Sequence, residues 1–217
     1  MILALPPAWQ SGELMRLPTR RHVVALTFDG GGNDVAAQSV LTELRRTRTP
    51  VTFFLTGKFV RLYPAVARAI GANPGWDVGN HTVDHSNMTG LPSSQAAWEI
   101  AAAQAQIERA TGRDPHPLFR FPYGSRDART LAIARRLGYV SVRWTVDTWG
   151  WMGHCCQTVG GAVRRVVGHL MPGEIVLMHL GAAHDGATID SQALPRVITA
   201  VRAHGYRFVT LSTVHRP

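Results

Sequence analysis

Apolar and polar residues alternate along this chain in two different periods, and the periods take turns. Short β-branched and apolar runs at His22 to Phe28, Val51 to Leu55, Trp76 to Asn80, Leu118 to Phe121, Tyr139 to Val146, Glu174 to Met178 and Arg207 to Thr210 read as strands. Runs of that length bounded by turn formers suit a sheet covered on both faces. Between them, apolar residues recur at spacings of three and four. Val35 to Arg46 does so through Ala36, Val40, Leu41 and Leu44, and similar segments run from about Phe59 to Ile70, Ser93 to Ala110, Ala128 to Leu137, Val159 to Leu170 and Ser191 to His204. These predict helices, the third with Ser93 or Ser94 as N-cap and Gly112 as terminator. Met1 to Arg21, broken by Pro6, Pro7, Gly12 and Pro18, predicts an irregular lead-in over residues 1–21, ahead of a single domain over 22–217.

Strand then helix, repeated about seven times, predicts an α/β fold with a parallel sheet or barrel. Parallel barrels place their chemistry at the C-terminal ends of the strands. Asp29, His81, Arg120, Asp147 and His179 each fall at or just past such an end, so they are expected to converge on one face.

The 217 residues are enough for one sizeable core, and no apolar run approaches the roughly 20 residues that span a bilayer. The formal net charge of +9 is carried almost wholly by arginine, Lys58 being the only lysine. Such a field favours anionic partners such as cell-wall polymers, membranes or nucleic acid. The pairs Arg45/Arg46, Arg135/Arg136 and Arg164/Arg165 read as solvated helix faces, and no interleaving of aromatic and basic residues predicts a nucleic-acid surface. Cys155 and Cys156 are adjacent and lack any Cys-x-x-Cys spacing, so a structural or surface role is expected.

The candidate chemistry begins with His81 and His85. If the segment is a helical turn, a spacing of four puts both imidazoles on one face, within reach of one cation. Alone, such a pair is more often two unconnected histidines. In the company of Asp29, Arg120 and His179 it points to a metal-assisted hydrolase with a base, a cationic orienter and a second titrating imidazole. His22, His116, His154, His169, His204 and His215 lack such company and read as structural or solvent-facing. Trp76, Trp98 and Trp144 read as core, whereas Trp149 and Trp151 at a strand end are better placed to meet the apolar face of a sugar.

With these motifs in place, the chain resembles a polysaccharide deacetylase of carbohydrate esterase family 4, the family of the nodulation-protein-type deacetylase domain. The likeness runs from about His22 to Leu211, through Thr27-Phe28-Asp29-Gly30-Gly31, His81-Thr82-Val83-Asp84-His85, Arg120-Phe121-Pro122-Tyr123-Gly124, Asp147-Thr148-Trp149-Gly150-Trp151 and Leu177-Met178-His179. It implies a distorted (β/α) barrel and removal of acetyl groups from N-acetylated amino sugars of peptidoglycan or chitin-like oligomers. Xylan O-acetyl esterase activity and a non-catalytic glycan-binding module are the alternatives.

The resemblance further implies Asp29 as base, Arg120 as its holder, the Tyr123 amide as oxyanion donor and His179 as acid. His81 and His85 match ligands of a divalent metal, zinc first, with cobalt, nickel or manganese as alternatives. Leu177 and Trp151 match walls of the acetyl pocket. A secreted or envelope-associated monomer acting on an acetylated glycan is expected, although the N-terminus lacks a signal-peptide pattern.

Two positions depart from the family pattern. Gly30 stands where a metal-binding aspartate is usual, leaving Asn33, Asp34, Asp84 and His184 as candidates to complete the site. Gly150 stands where the carboxylate that orients the acid histidine is usual, and Asp147 is the expected substitute.

Overall fold

A computed structural model describes residues 13–212. Among them are nine strands: β1 (Glu13–Leu14), β2 (Val23–Gly30), β3 (Val51–Leu55), β4 (Trp76–Asn80), β5 (Leu118–Phe119), β6 (Val140–Val142), β7 (Val146–Asp147), β8 (Glu174–His179) and β9 (Arg207–Val209). The helices are α1 (Ala37–Arg46), α2 (Gly57–Leu62), α3 (Pro64–Gly71), α4 (Ser93–Thr111), α5 (Ala128–Arg136), α6 (Val159–Gly168) and α7 (Ile189–Ala203). Every strand pairing is parallel, in the order β1-β6-β5-β4-β3-β2-β8-β7, with β9 beside the start of β2. The sheet curls into a distorted half-barrel, as the alternation of elements predicts.

Two elements of the barrel escape the sequence pattern. The lead-in is not wholly irregular, because Glu13–Leu14 pairs with β6 and both Leu14 and Leu17 are buried. The run from Tyr139 to Val146 splits into β6 and β7, which lie near opposite ends of the strand order. Residues 143–145 cross the seam: Arg143 N–H donates to Leu14 O on one side and Thr145 N–H to Ile175 O on the other.

Period-two alternation divides the core into two layers. Val24, Leu26 and Phe28 of β2 join Phe53, Leu55, Val176 and Met178 under the helices, whereas Val23 and Ala25 face inward with Phe54, Val140, Val142 and Ile175. Both faces are therefore covered, which is why β2 is buried along its whole length. Asp29 continues the inward set, and Gly30 the helix-facing one.

The expected helix from Phe59 to Ile70 is two helices, broken at Tyr63 (φ −124°, ψ 58°) because a residue before proline is steered away from helical geometry. Pro92, not a serine, occupies the N-cap of α4, while Gly112 ends that helix in the left-handed region at φ 69° as expected. Helix α7 starts at Ile189, two residues ahead of the predicted start, so Asp190 lies in its first turn.

Candidate active site

The C-terminal ends of β2, β4, β7 and β8 open into a cavity of about 570 Å³. It brings together Asp29, His81, His85, Tyr123, Asp147, Trp151, Leu177 and His179, which are eight of the ten residues singled out in the sequence. Arg120 lies directly beneath, fully buried. Trp149 is the exception: the Arg165 guanidinium sits 3.4 Å from its ring centroid, and it does not line the cavity. Arg165 is correspondingly no solvated-face residue, since its Nε–H also donates to Asp147 O at 2.7 Å.

Asp29 and Arg120 form the centre of the charge arrangement. Arg120 Nη1 donates to Asp29 Oδ1 at 2.7 Å and to Thr27 Oγ1 at 2.9 Å, and its other nitrogens donate to the carbonyls of Val142 and Arg143. Its guanidinium also stacks over Phe54, 4.1 Å from the ring centroid. Burial alone would raise the Asp29 carboxyl, but Arg120, seconded by His81 and His179, outweighs it and holds the group below the ordinary carboxylate value. Asp29 is thus an ionised base with one oxygen fixed and Oδ2 turned to His81 Nε2 at 3.4 Å.

The two candidate metal ligands are adjacent, with ring centroids 4.8 Å apart, but not because they share a helical face. Residues 81–87 form no helix, and Thr82 (φ 69°) and His85 (φ 61°) are left-handed. The loop holds this shape through Glu99, a carboxylate buried on α4 that the sequence reading passed over. Its Oε2 accepts Val83 N–H and Asp84 N–H, and its Oε1 accepts Ser86 Oγ–H. A glutamate on the inner face of an otherwise alanine-rich helix was the available signal.

His81 Nδ1 lies 2.7 Å from Arg120 O. A carbonyl only accepts, so Nδ1 carries the proton and Nε2 presents a lone pair. Among the described residues that buried Nε2 has no hydrogen-bond partner. Burial lowers the pKa of His81, and burial together with His81 brings His85 down to about 4, so both rings are neutral near pH 7. Two neutral imidazoles, one with an orphaned lone pair, fit a divalent cation.

A third protein ligand is not arranged beside them. Among the described residues no group of three or more His, Cys, Asp or Glu side chains is placed to hold a metal ion. Asn33 is engaged with Ala182, accepting its N–H and donating to its carbonyl, and Asp84 is an exposed residue at the rim. A Cβ at Gly30 would meet Leu55 Cδ2 at 2.9 Å and Leu180 Cδ1 at 3.2 Å, inside the helix-facing apolar layer. At Gly31 it would instead meet His85 Cδ2 at 3.3 Å.

Asp147 does not substitute at the acid histidine. Its Oδ1 accepts Trp149 N–H at 2.8 Å and its Oδ2 accepts Trp151 Nε1–H at 3.0 Å, so it anchors the aromatic wall. His179 Nδ1 faces Asp190 Oδ2 at 3.4 Å instead. Burial opposes the charged form of His179, but Asp190, then Asp29 and Asp147, outweigh it and raise its pKa above the ordinary value.

The remaining wall residues complete the cleft. Leu177 is buried on the inner face of β8, Trp151 is half exposed, and Tyr123 is 72% exposed at a left-handed φ of 59° with its ring against His85. Among the described residues no acceptor takes the Tyr123 N–H. Trp76 is buried as expected. Trp98 is 54% exposed away from the cleft, and Trp144 lines the cleft itself, so neither is a core residue.

Comparison with known proteins agrees with this geometry. Residues 16–142 match the polysaccharide deacetylase family, and the chain belongs to it, within carbohydrate esterase family 4. The chain is 31% identical to a peptidoglycan-N-acetylglucosamine deacetylase of Bacillus cereus, over 91% of this chain and 70% of that protein. It is 28% identical to a chitooligosaccharide deacetylase of Azorhizobium caulinodans, over 90% of this chain and 95% of the relative. The crystal structure of a peptidoglycan N-acetylglucosamine deacetylase superimposes with a TM-score of 0.86 at 27% identity, covering 97% and 96% of the two chains. A family 4 pseudoenzyme from Bacillus anthracis superimposes with a TM-score of 0.84 at 26% identity, covering 94% of this chain and 69% of the other.

Proposed function

We propose that this protein is a metal-dependent deacetylase that removes acetyl groups from N-acetylated amino sugars of peptidoglycan or chitin-like oligomers, working where such polymers are found, at the cell envelope or outside it. The observation that carries this reading is the convergence, in one cleft, of an ionised carboxylate, a pair of neutral imidazoles and a third imidazole whose charged form is favoured.

An amide is a poor electrophile with a poor leaving group, so its hydrolysis needs a base for water, stabilisation of the oxyanion and an acid for the amine. Asp29, held by Arg120, takes the proton from the attacking water. The unengaged Tyr123 N–H meets the developing charge on the carbonyl oxygen. His179, the register partner of Asp29 on the neighbouring strand β8, gives a proton to the departing nitrogen. A divalent cation on His81 and His85, zinc first, would supply Lewis-acid polarisation of the water and carbonyl. Leu177 and Trp151 suit the acetyl methyl, and Trp151, held by Asp147, offers its face to the sugar.

A second reading, a glycan-binding protein without turnover, is favoured by one observation: the cation site has two imidazoles and no carboxylate ligand. Against it stands the retained Asp29-Arg120-His179 set, for which binding alone has no physical need. Acetate release from acetylated chitooligosaccharides and from peptidoglycan, with added zinc and with chelator, decides between them. Metal-dependent release supports the deacetylase; glycan binding with no release under either condition refutes it.

A further inference from the structure

Gly150 and Asp190 occupy one position in space. A Cβ at residue 150 would collide with the Asp190 carboxylate, lying 2.8 Å from Oδ2 and nearer still to Oδ1. The backbone of Gly150 is not in the left-handed region that calls for glycine. Its lack of a side chain therefore answers a demand for space, and the group that fills the space is a carboxylate arriving from helix α7, forty residues further along the chain.

That carboxylate is fixed on three sides. Asp190 is buried in the first turn of α7, its Oδ1 accepts Thr148 Oγ–H at 2.6 Å, and its Oδ2 accepts His179 N–H at 2.8 Å. The same Oδ2 lies 3.4 Å from His179 Nδ1, a buried ring nitrogen with no other partner. Gln157 closes the cluster by donating to Thr148 O. Other charged or titratable groups face His179 from farther off: Asp29 on β2, Asp147 at the end of β7, and His81 and His85 across the cleft. Among the described residues, only Asp190 comes within ion-pair distance of His179 Nδ1.

We propose that Asp190 is the positioning carboxylate of His179, presenting the imidazole to the cleft through Nε2, and that Gly150 is glycine because Asp190 occupies its side-chain volume. This deepens the deacetylase reading and rests on it for the role of His179. A carboxylate serves an imidazole by its location and not by the element that carries it, so the pair is expected to be exchangeable: a carboxylate at 150 with none at 190 restores the arrangement.

The test compares Asp190→Asn, Asp190→Gly, Gly150→Asp and the double variant Gly150→Asp/Asp190→Gly, each checked for fold by circular dichroism. His179 is followed by NMR titration of its ring and by acetate release. Asp190→Asn, nearly equal in shape, is expected to lower the His179 titration midpoint and reduce kcat by about 10- to 100-fold, a part of a general acid's contribution, with KM within about twofold. The double variant is expected to regain at least tenfold in kcat over Asp190→Gly and to move the midpoint back up. An unchanged midpoint in folded Asp190→Asn overturns the proposal, as does a folded double variant no better than Asp190→Gly in both readouts. If Asp190→Asn fails to fold, the double variant decides alone. Should the native protein release no acetate, the deacetylase reading fails, while the NMR midpoints still decide the role of Asp190.

Discussion

The backbone carbonyl of Arg120 accepts the Nδ1 proton of His81 at 2.7 Å, while the side chain of the same arginine grips Asp29. One residue thus sets the tautomer of a metal-ligand candidate and the ionisation of the base. These two functions separate on mutation, because only the second uses the side chain.

Arg120→Met is expected to leave the His81 tautomer intact and to strand Asp29 without its cation. Breaking a buried ion pair from one side costs about 3–5 kcal/mol. Denaturant unfolding should show a loss of that size at pH 7, shrinking at low pH where Asp29 is neutral in both native and unfolded chains.

Asp29→Asn and His179→Ala should each lower turnover by about 100- to 10,000-fold with little change in glycan affinity, the range typical of a general base or acid. The pH profile carries the signs. Asp29 acts ionised and is held below the ordinary carboxylate value, so on the acid side it is protonation of the His85 ligand, near 4, that ends activity first. His179 acts protonated, so activity falls as pH rises through its raised value, above 6.5. An alkaline limb unmoved in the Asp190 variants would assign it to another group.

Replacing His81 and His85 with alanine should abolish zinc binding by calorimetry. An aspartate at Gly30, the last residue of β2, starts with its Cβ against Leu55 and Leu180. Where its carboxylate turns back over the strand end to the imidazoles, Gly30→Asp tightens zinc binding by tenfold or more, since an anionic oxygen joins two neutral imidazoles. The left-handed backbone that would resist aspartate is absent at Gly30; the obstacle is Leu55 and Leu180, and crowding there should cost about 1–3 kcal/mol of stability. Equal or weaker zinc binding in folded Gly30→Asp would show that this position does not open onto the cation.

Glu99→Ala should weaken zinc binding without touching a ligand, because Val83 and Asp84 N–H lose their acceptor and the His81 to His85 loop loses its left-handed form. Orphaning buried donors costs about 1–3 kcal/mol each. Wild-type zinc affinity in this variant would mean that the contacts of Gly57 and Lys58 with the loop hold it unaided.

Glu174 offers a stability test away from the site. Burial raises its carboxyl to about 7, against an ordinary 4.5. Between those values Glu174 holds more of a proton in the native than in the unfolded state, so its contribution to stability falls as pH rises from 4.5 to 7. Glu174→Gln should remove that slope and be the more stable protein at pH 8, by on the order of 1–3 kcal/mol. His81 and His85, held neutral in the native state, give the wild type an opposing slope over part of this window, so the variant comparison is the test: the same pH slope of unfolding free energy in Glu174→Gln as in wild type would contradict the assignment.

The alternating architecture and the strand ends at which chemistry gathers are legible in the order of amino acids alone, because period two and period 3.6 are local properties of consecutive residues. That order placed Asp29 at the C-terminal end of a strand and, through five ordered motifs, predicted the neighbours it would meet. It also predicted Gly112 as a helix terminator, where one residue's freedom of φ suffices.

The remaining features are set by contacts across the fold, in each case because the partner is distant along the chain. The approach of His81 to His85 looks like a helical spacing and is instead a left-handed loop tied to Glu99. The break between β6 and β7 follows from closing a barrel seam, to which no local pattern responds. Asp147 belongs to the Gly150 motif and Asp190 lies forty residues beyond it, so proximity along the chain ranks Asp147 first. Space ranks them the other way: Asp147 is occupied by two tryptophans, and Gly150 leaves a carboxylate-sized opening that the first turn of α7 fills. A glycine in sequence reports that a side chain is missing, but what stands in its place is set by packing, through contacts made across the fold.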